Sequence, residues 1–81
     1  MAKYQDRINL RLDLLTKVYE HYFANKGAGI SFPKGSFEEG SEEDLAYVYL
    51  IQKGLLEKEH MGAVKIYKMT PYGIDYVENS K

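Results

Sequence analysis

The side chains that could do chemistry in this sequence are few and scattered. His21 and His60 are the two histidines, and there is no cysteine. No H-x-x-x-H or H-E-x-x-H spacing links the histidines, so a helical zinc pair and its general base are both missing. Without thiols, a thiolate nucleophile, thiolate metal ligands and a disulfide framework are excluded. The densest acidic run is Glu42-Glu43-Asp44, immediately after Ser41. A metal site is one reading of it. The other is a capping box, with Ser41 as N-cap and three acids in the first helical turn, where the helix dipole favours negative charge. That reading accounts for all four residues. "GAGIS", residues 27–31, has neither the strand before it nor the helix after it that a dinucleotide loop requires. The sequence also contains no G-x-S-x-G and no Walker loop. These patterns predict a protein that is not an enzyme and holds no cofactor or metal.

Binding chemistry has more material. Lys53, Lys58, His60, Lys65 and Lys68 could meet phosphate, the main source of affinity for nucleic acid. The charge around them is mixed. Lys34 and Lys53 are outnumbered by Glu38, Glu39, Glu42, Glu43 and Asp44, although residues 1–26 are net positive and the whole chain carries −1. Phosphate-binding surfaces concentrate positive charge, so the acidic middle weighs against DNA.

The elements that must position these groups follow from length and periodicity. Eighty-one residues make one domain, 1–81, and 44% hydrophobic residues with eight Tyr and three Phe can fill a core. No leader-like segment occurs, and no apolar run approaches ~20 residues, which predicts a soluble cytoplasmic protein with no membrane partner. From Lys3 to about Asn25 there is no Gly or Pro. At 100° per residue, Tyr4, Ile8, Leu12, Leu15, Tyr19, Tyr22 and Phe23 form one stripe, predicting a long amphipathic helix that buries it. Leu10, Leu14 and Val18 form a second ridge, which either lies under the C-terminal helix or forms a subunit interface in a homodimer.

Four Gly and a Pro in residues 27–40 predict an ordered connector, with Ile30–Phe32 as a short edge strand and one helical turn at most. A second helix runs from Ser41 to about Lys53 and stops at Gly54. Residues 56–60 and 64–69 alternate and read as two antiparallel strands with Gly62 in the turn. In that hairpin, Val64 and Ile66 face outward and suit pairing with another chain. Thr70 caps a short last helix with Pro71 at its first position.

Leu50, Gly54, Leu55 and Leu56, followed by Tyr67, Met69, Thr70 and Gly73, resemble the winged-helix signature. In that signature L-x-x-x-G-L-[IL] ends one helix and Y-x-L-T-x-x-G closes the wing, as in small MarR-, PadR- or prophage-type proteins. The resemblance implies an α+β winged-helix-like domain with a long first helix, a second helix, a two-stranded hairpin wing and a short C-terminal helix. Its core would hold Ile8, Leu12, Leu15, Tyr19, Leu50, Leu55, Tyr67 and Met69. It also implies a DNA-binding transcriptional regulator or accessory factor, paired as a homodimer through terminal helices. Two features depart from the pattern. A Gly-rich connector stands where the first helix of the DNA-reading motif belongs. With Leu50 inward, as the resemblance implies, the second helix turns Leu45, Val48, Tyr49 and Gln52 outward, whereas base-edge readers use Arg, Lys, Asn, Gln or Ser. A scaffold for protein–protein contact is therefore the competing reading.

Overall fold

The hairpin forms, but it is not a free two-stranded wing. The computed structural model describes residues 3–33, 35–36 and 38–79 and is α+β. Its elements are α1 (Lys3–Ala24), β1 (Ile30–Pro33), α2 (Glu42–Gln52), β2 (Leu56–Met61), β3 (Val64–Met69) and α3 (Pro71–Asn79). The strands make one antiparallel sheet in the order β1-β3-β2. The edge strand expected at Ile30–Phe32 is present, and it extends the hairpin to three strands. Ser31 lies opposite Ile66 and Pro33 opposite Val64. Val64 and Ile66 are thus half-buried on the central strand, and no hairpin edge is left there for another chain. β1 supplies the backbone partners that the sequence assigned to a second protein.

The long first helix is where expected, but the face it buries is shifted: Leu15, Tyr19 and Tyr22 of the expected stripe meet the core, and Tyr4, Ile8 and Leu12 do not. Leu14, Leu15 and Val18 are in the core, whereas Tyr4 is 71% exposed, Ile8 47% and Leu12 38%. Of the core expected from the sequence, Leu15, Leu50, Tyr67 and Met69 are buried, and Tyr19 and Leu55 pack against it half-buried. Ile8 and Leu12 do not belong to it. Leu14 and Val18 are therefore closed to any subunit interface, and Leu10 packs onto the core from its margin. The physical reason is that α1 is apolar on both flanks, and α2, β3 and α3, which all pack on it, leave Leu14, Leu15 and Val18 buried and residues 4–9 exposed.

On the other side of the core, Tyr47 of α2 stacks on Tyr67 of β3, ring centres 4.3 Å apart and planes 4° from parallel. Phe32 of β1 tilts against both rings at 5.8 Å. Phe37, like Ile30 and Phe32 apolar enough to dock on the core, lies outside the described residues.

The recurring Gly and Thr positions are explained by two helix ends. The N–H of Gly54 donates to Ile51 O (3.0 Å) and that of Leu55 to Leu50 O (2.9 Å), a Schellman closure that needs the left-handed φ of +79° at Gly54. Thr70 clasps that turn to α3. Its hydroxyl donates to Gly54 O (2.6 Å) and accepts the Gly73 N–H (3.0 Å) as N-cap. A Cβ at Gly73 would overlap the Leu55 carbonyl oxygen, so α3 can approach this turn only on glycine. No helix among the described residues is long and apolar enough to cross a membrane.

Candidate interaction surface

α2 buries Ala46, Tyr47 and Leu50 and turns Leu45, Val48, Tyr49 and Gln52 outward. This is the division expected from the resemblance. By its sequence either the connector folds over this outward face or another protein does; among the described residues the connector leaves it open, with Leu45 56% exposed. Between β1 and α2 the described residues form no helix, only turns closed by Ser36 N–H to Pro33 O and Ser41 N–H to Glu38 O.

The acidic run caps α2 as expected, with one difference in partner. Ser41 Oγ accepts the Asp44 N–H at 3.3 Å, but the Asp44 carboxylate accepts from Gly40 N–H (2.8 Å) rather than from Ser41. The Ser41 N–H is taken by Glu38. Asp44 is thereby buried with its hydrogen bond made, while Glu42 and Glu43 remain in solvent. Arg7 Nε donates to Glu42 Oε1 at 3.3 Å and ties α1 to this first turn; the pair is exposed.

At the other end of α2, the Arg11 guanidinium lies 3.9 Å from the Tyr49 ring centre and Lys53 Nζ lies 5.9 Å from it. Both cations therefore sit within reach of one aromatic face. Beside them runs an apolar groove of about 310 Å³ between α1, α2 and α3. Its floor is Leu12, Leu15, Leu50 and Leu55, and Tyr49 and Tyr76 stand at its sides. Sequence reasoning missed this groove. Its signal was present in Ile8 and Leu12, which were assigned to the core.

The five cationic candidates do not form one patch. Lys58 lies opposite Tyr67 and His60 opposite Lys65, so Lys58, His60 and Lys65 share the sheet face of Tyr67. Lys68 lies opposite Glu57 on the other face, which also carries Glu59. Lys53 caps α2 beside Tyr49. His21 is on α1, separate from His60 on β2.

Three tyrosines have raised pKa values. Burial, then the neighbouring Tyr67 and Glu43, pushes Tyr47 up to about 12. Burial and then Asp44 raise Tyr67. Tyr19 is raised first by the hydrogen bond its hydroxyl donates to Glu78 Oε2 (2.9 Å), then by burial and by the Glu78 charge. The Tyr47–Tyr67 stack lies inside the core, so it reads as packing rather than as acid–base machinery.

Among known proteins, no family model, curated protein or solved structure matches this chain.

Proposed function

We propose that this chain is a winged-helix-like module that binds another protein through the outward face of α2. The observation that carries this reading is the exposed, mainly apolar set Leu45, Val48 and Tyr49 at the position where a DNA reader presents polar side chains. The element order, with β3 between β1 and β2, supports the winged-helix comparison. The acidic first turn of α2 disfavours approach to phosphate at the end that recognition helices commonly present. Apolar and aromatic side chains at the centre of an exposed face, ringed by Gln52, Arg11 and Lys53, have the composition of a protein-binding surface.

The experiment compares proteins retained from host lysate by the wild-type chain and by a Leu45→Glu/Val48→Glu variant. Both positions are exposed, so the variant keeps the wild-type circular dichroism and melting curve. A partner held by the wild type and lost by the variant supports the reading. Equal retention by both contradicts it.

One observation favours the alternative of a DNA-binding regulator: Lys58, His60 and Lys65 share a sheet face. Replacing Lys58 and Lys65 by Ala should abolish duplex binding on that reading and change nothing on the protein-binding one.

A further inference from the structure

The groove between α1, α2 and α3 carries charge of one sign only. Arg11 and Lys53 line it and no acidic residue does, although the chain holds 12 acidic residues against 11 basic ones. Both cations are gathered on the Tyr49 ring, 3.9 and 5.9 Å from its centre. Among the described residues neither has a carboxylate within salt-bridge distance. Arg7, one turn earlier on α1, is the contrast, since Glu42 meets its charge. Asp75 lies with Lys53 along a separate shallow recess beside Tyr72 and makes no ion pair with it.

We propose that this groove binds a small anionic amphiphile, an alkyl carboxylate whose chain lies on the leucine floor and whose head group meets Arg11 and Lys53. The floor selects the chain. Leu12, Leu15, Leu50 and Leu55 are all aliphatic. Ile8 and Leu12, 47% and 38% exposed, keep apolar surface in water that an alkyl chain would cover. The two cations select the head. A guanidinium presents paired N–H donors in a plane that matches a carboxylate, and Lys53 adds a second positive charge beside it. No hydrogen bond among the described residues engages the Arg11 side-chain donors.

The size suits one small molecule. A volume of about 310 Å³ stands at the lower end of the ~300–1,000 Å³ of ligand pockets, and apolar walls with a few charged groups at one side are their usual composition. This site goes beyond the protein contact proposed above. It uses the groove rather than Leu45 and Val48, and Tyr49 borders both.

An amide-resolved NMR titration of the intact chain with octanoate tests the proposal. Saturable shifts should centre on Arg11, Leu12, Tyr49, Lys53 and Leu55, with a Kd below ~1 mM. Octylammonium, the same chain with the opposite charge, should bind wild type at least about tenfold more weakly. Arg11→Gln/Lys53→Gln should weaken octanoate binding about tenfold, the loss of a charge-assisted contact. Lys17→Gln/Lys58→Gln changes the net charge equally at exposed positions outside the groove, and should leave octanoate binding unchanged. Leu45→Ser/Val48→Ser removes the apolar α2 face without adding charge and should also bind octanoate as wild type does. Loss of a protein partner and loss of octanoate are therefore separate results. Absence of saturable shifts up to ~1 mM octanoate overturns the proposal. Equal affinity for octylammonium overturns it too, as does a shift pattern centred on the sheet.

Discussion

Arg11 of α1 lies over Tyr49 of α2, 3.9 Å from guanidinium carbon to ring centre, and joins the long helix to the exposed face of the second one. An exposed cation–π contact contributes about 0.5–1 kcal/mol. Arg11→Ala should therefore lower the unfolding free energy by about that amount in urea titrations. Arg11→Lys should recover part of it, since a lysine can still approach the ring.

The turn between α2 and α3 should be much less tolerant. Gly73→Ala places a methyl group against the Leu55 carbonyl and should cost about 2–3 kcal/mol by overpacking. Gly54→Ala meets no atom but keeps a left-handed φ, for about 1–2 kcal/mol. Thr70→Val removes the cap and the bond to Gly54 O, for about 1–2 kcal/mol. Chemical denaturation of the three variants should rank Gly73→Ala as the most destabilised.

These positions were legible because turn chemistry is local. The roles of Gly54 and Thr70 follow from a few neighbours in sequence, and the capping of α2 by Ser41 follows from four residues. The buried face of α1 was legible only in part: Leu15, Tyr19 and Tyr22 were expected in the core and meet it, whereas Leu14 and Val18 were not. Tyr4, Ile8 and Leu12 make as good a stripe as Leu10, Leu14 and Val18, and periodicity cannot say which one the remaining elements cover. The choice depends on how far along α1 those elements reach, and they leave residues 4–9 bare. The third strand was half-legible: Ile30–Phe32 could be read as a strand, but its pairing with β3 is a long-range fact. The groove beside Tyr49 combines residues from three helices and had no local signature.

Substitutions on α1 should separate its two ridges. Leu14→Ala should cost roughly 2–5 kcal/mol, and Leu14→Glu should unfold the chain by placing an unpaired charge in the core. Leu12→Ala, at a position 38% exposed, should cost less than Leu14→Ala. Thermal melts followed by circular dichroism provide the comparison.

Tyrosine ionisation reports on the aromatic stack. Absorbance at alkaline pH should show Tyr47 ionising only at about 12, above the ordinary tyrosine value of about 10. Between those values the unfolded chain has lost the Tyr47 proton and the folded chain retains it. Stability must then fall as pH rises from about 10 to about 12. Tyr47→Phe should remove that part of the slope and leave the same molecule less sensitive to alkali.

The central claim is that the exposed face of α2 serves protein rather than DNA. Fluorescence anisotropy of a labelled random duplex at low salt, where phosphate electrostatics is strongest, tests it most directly. No binding is expected up to ~100 μM, the range of weak nonspecific contacts. Micromolar binding that weakens as salt rises, and that disappears in a Lys58→Ala/Lys65→Ala variant, would contradict it.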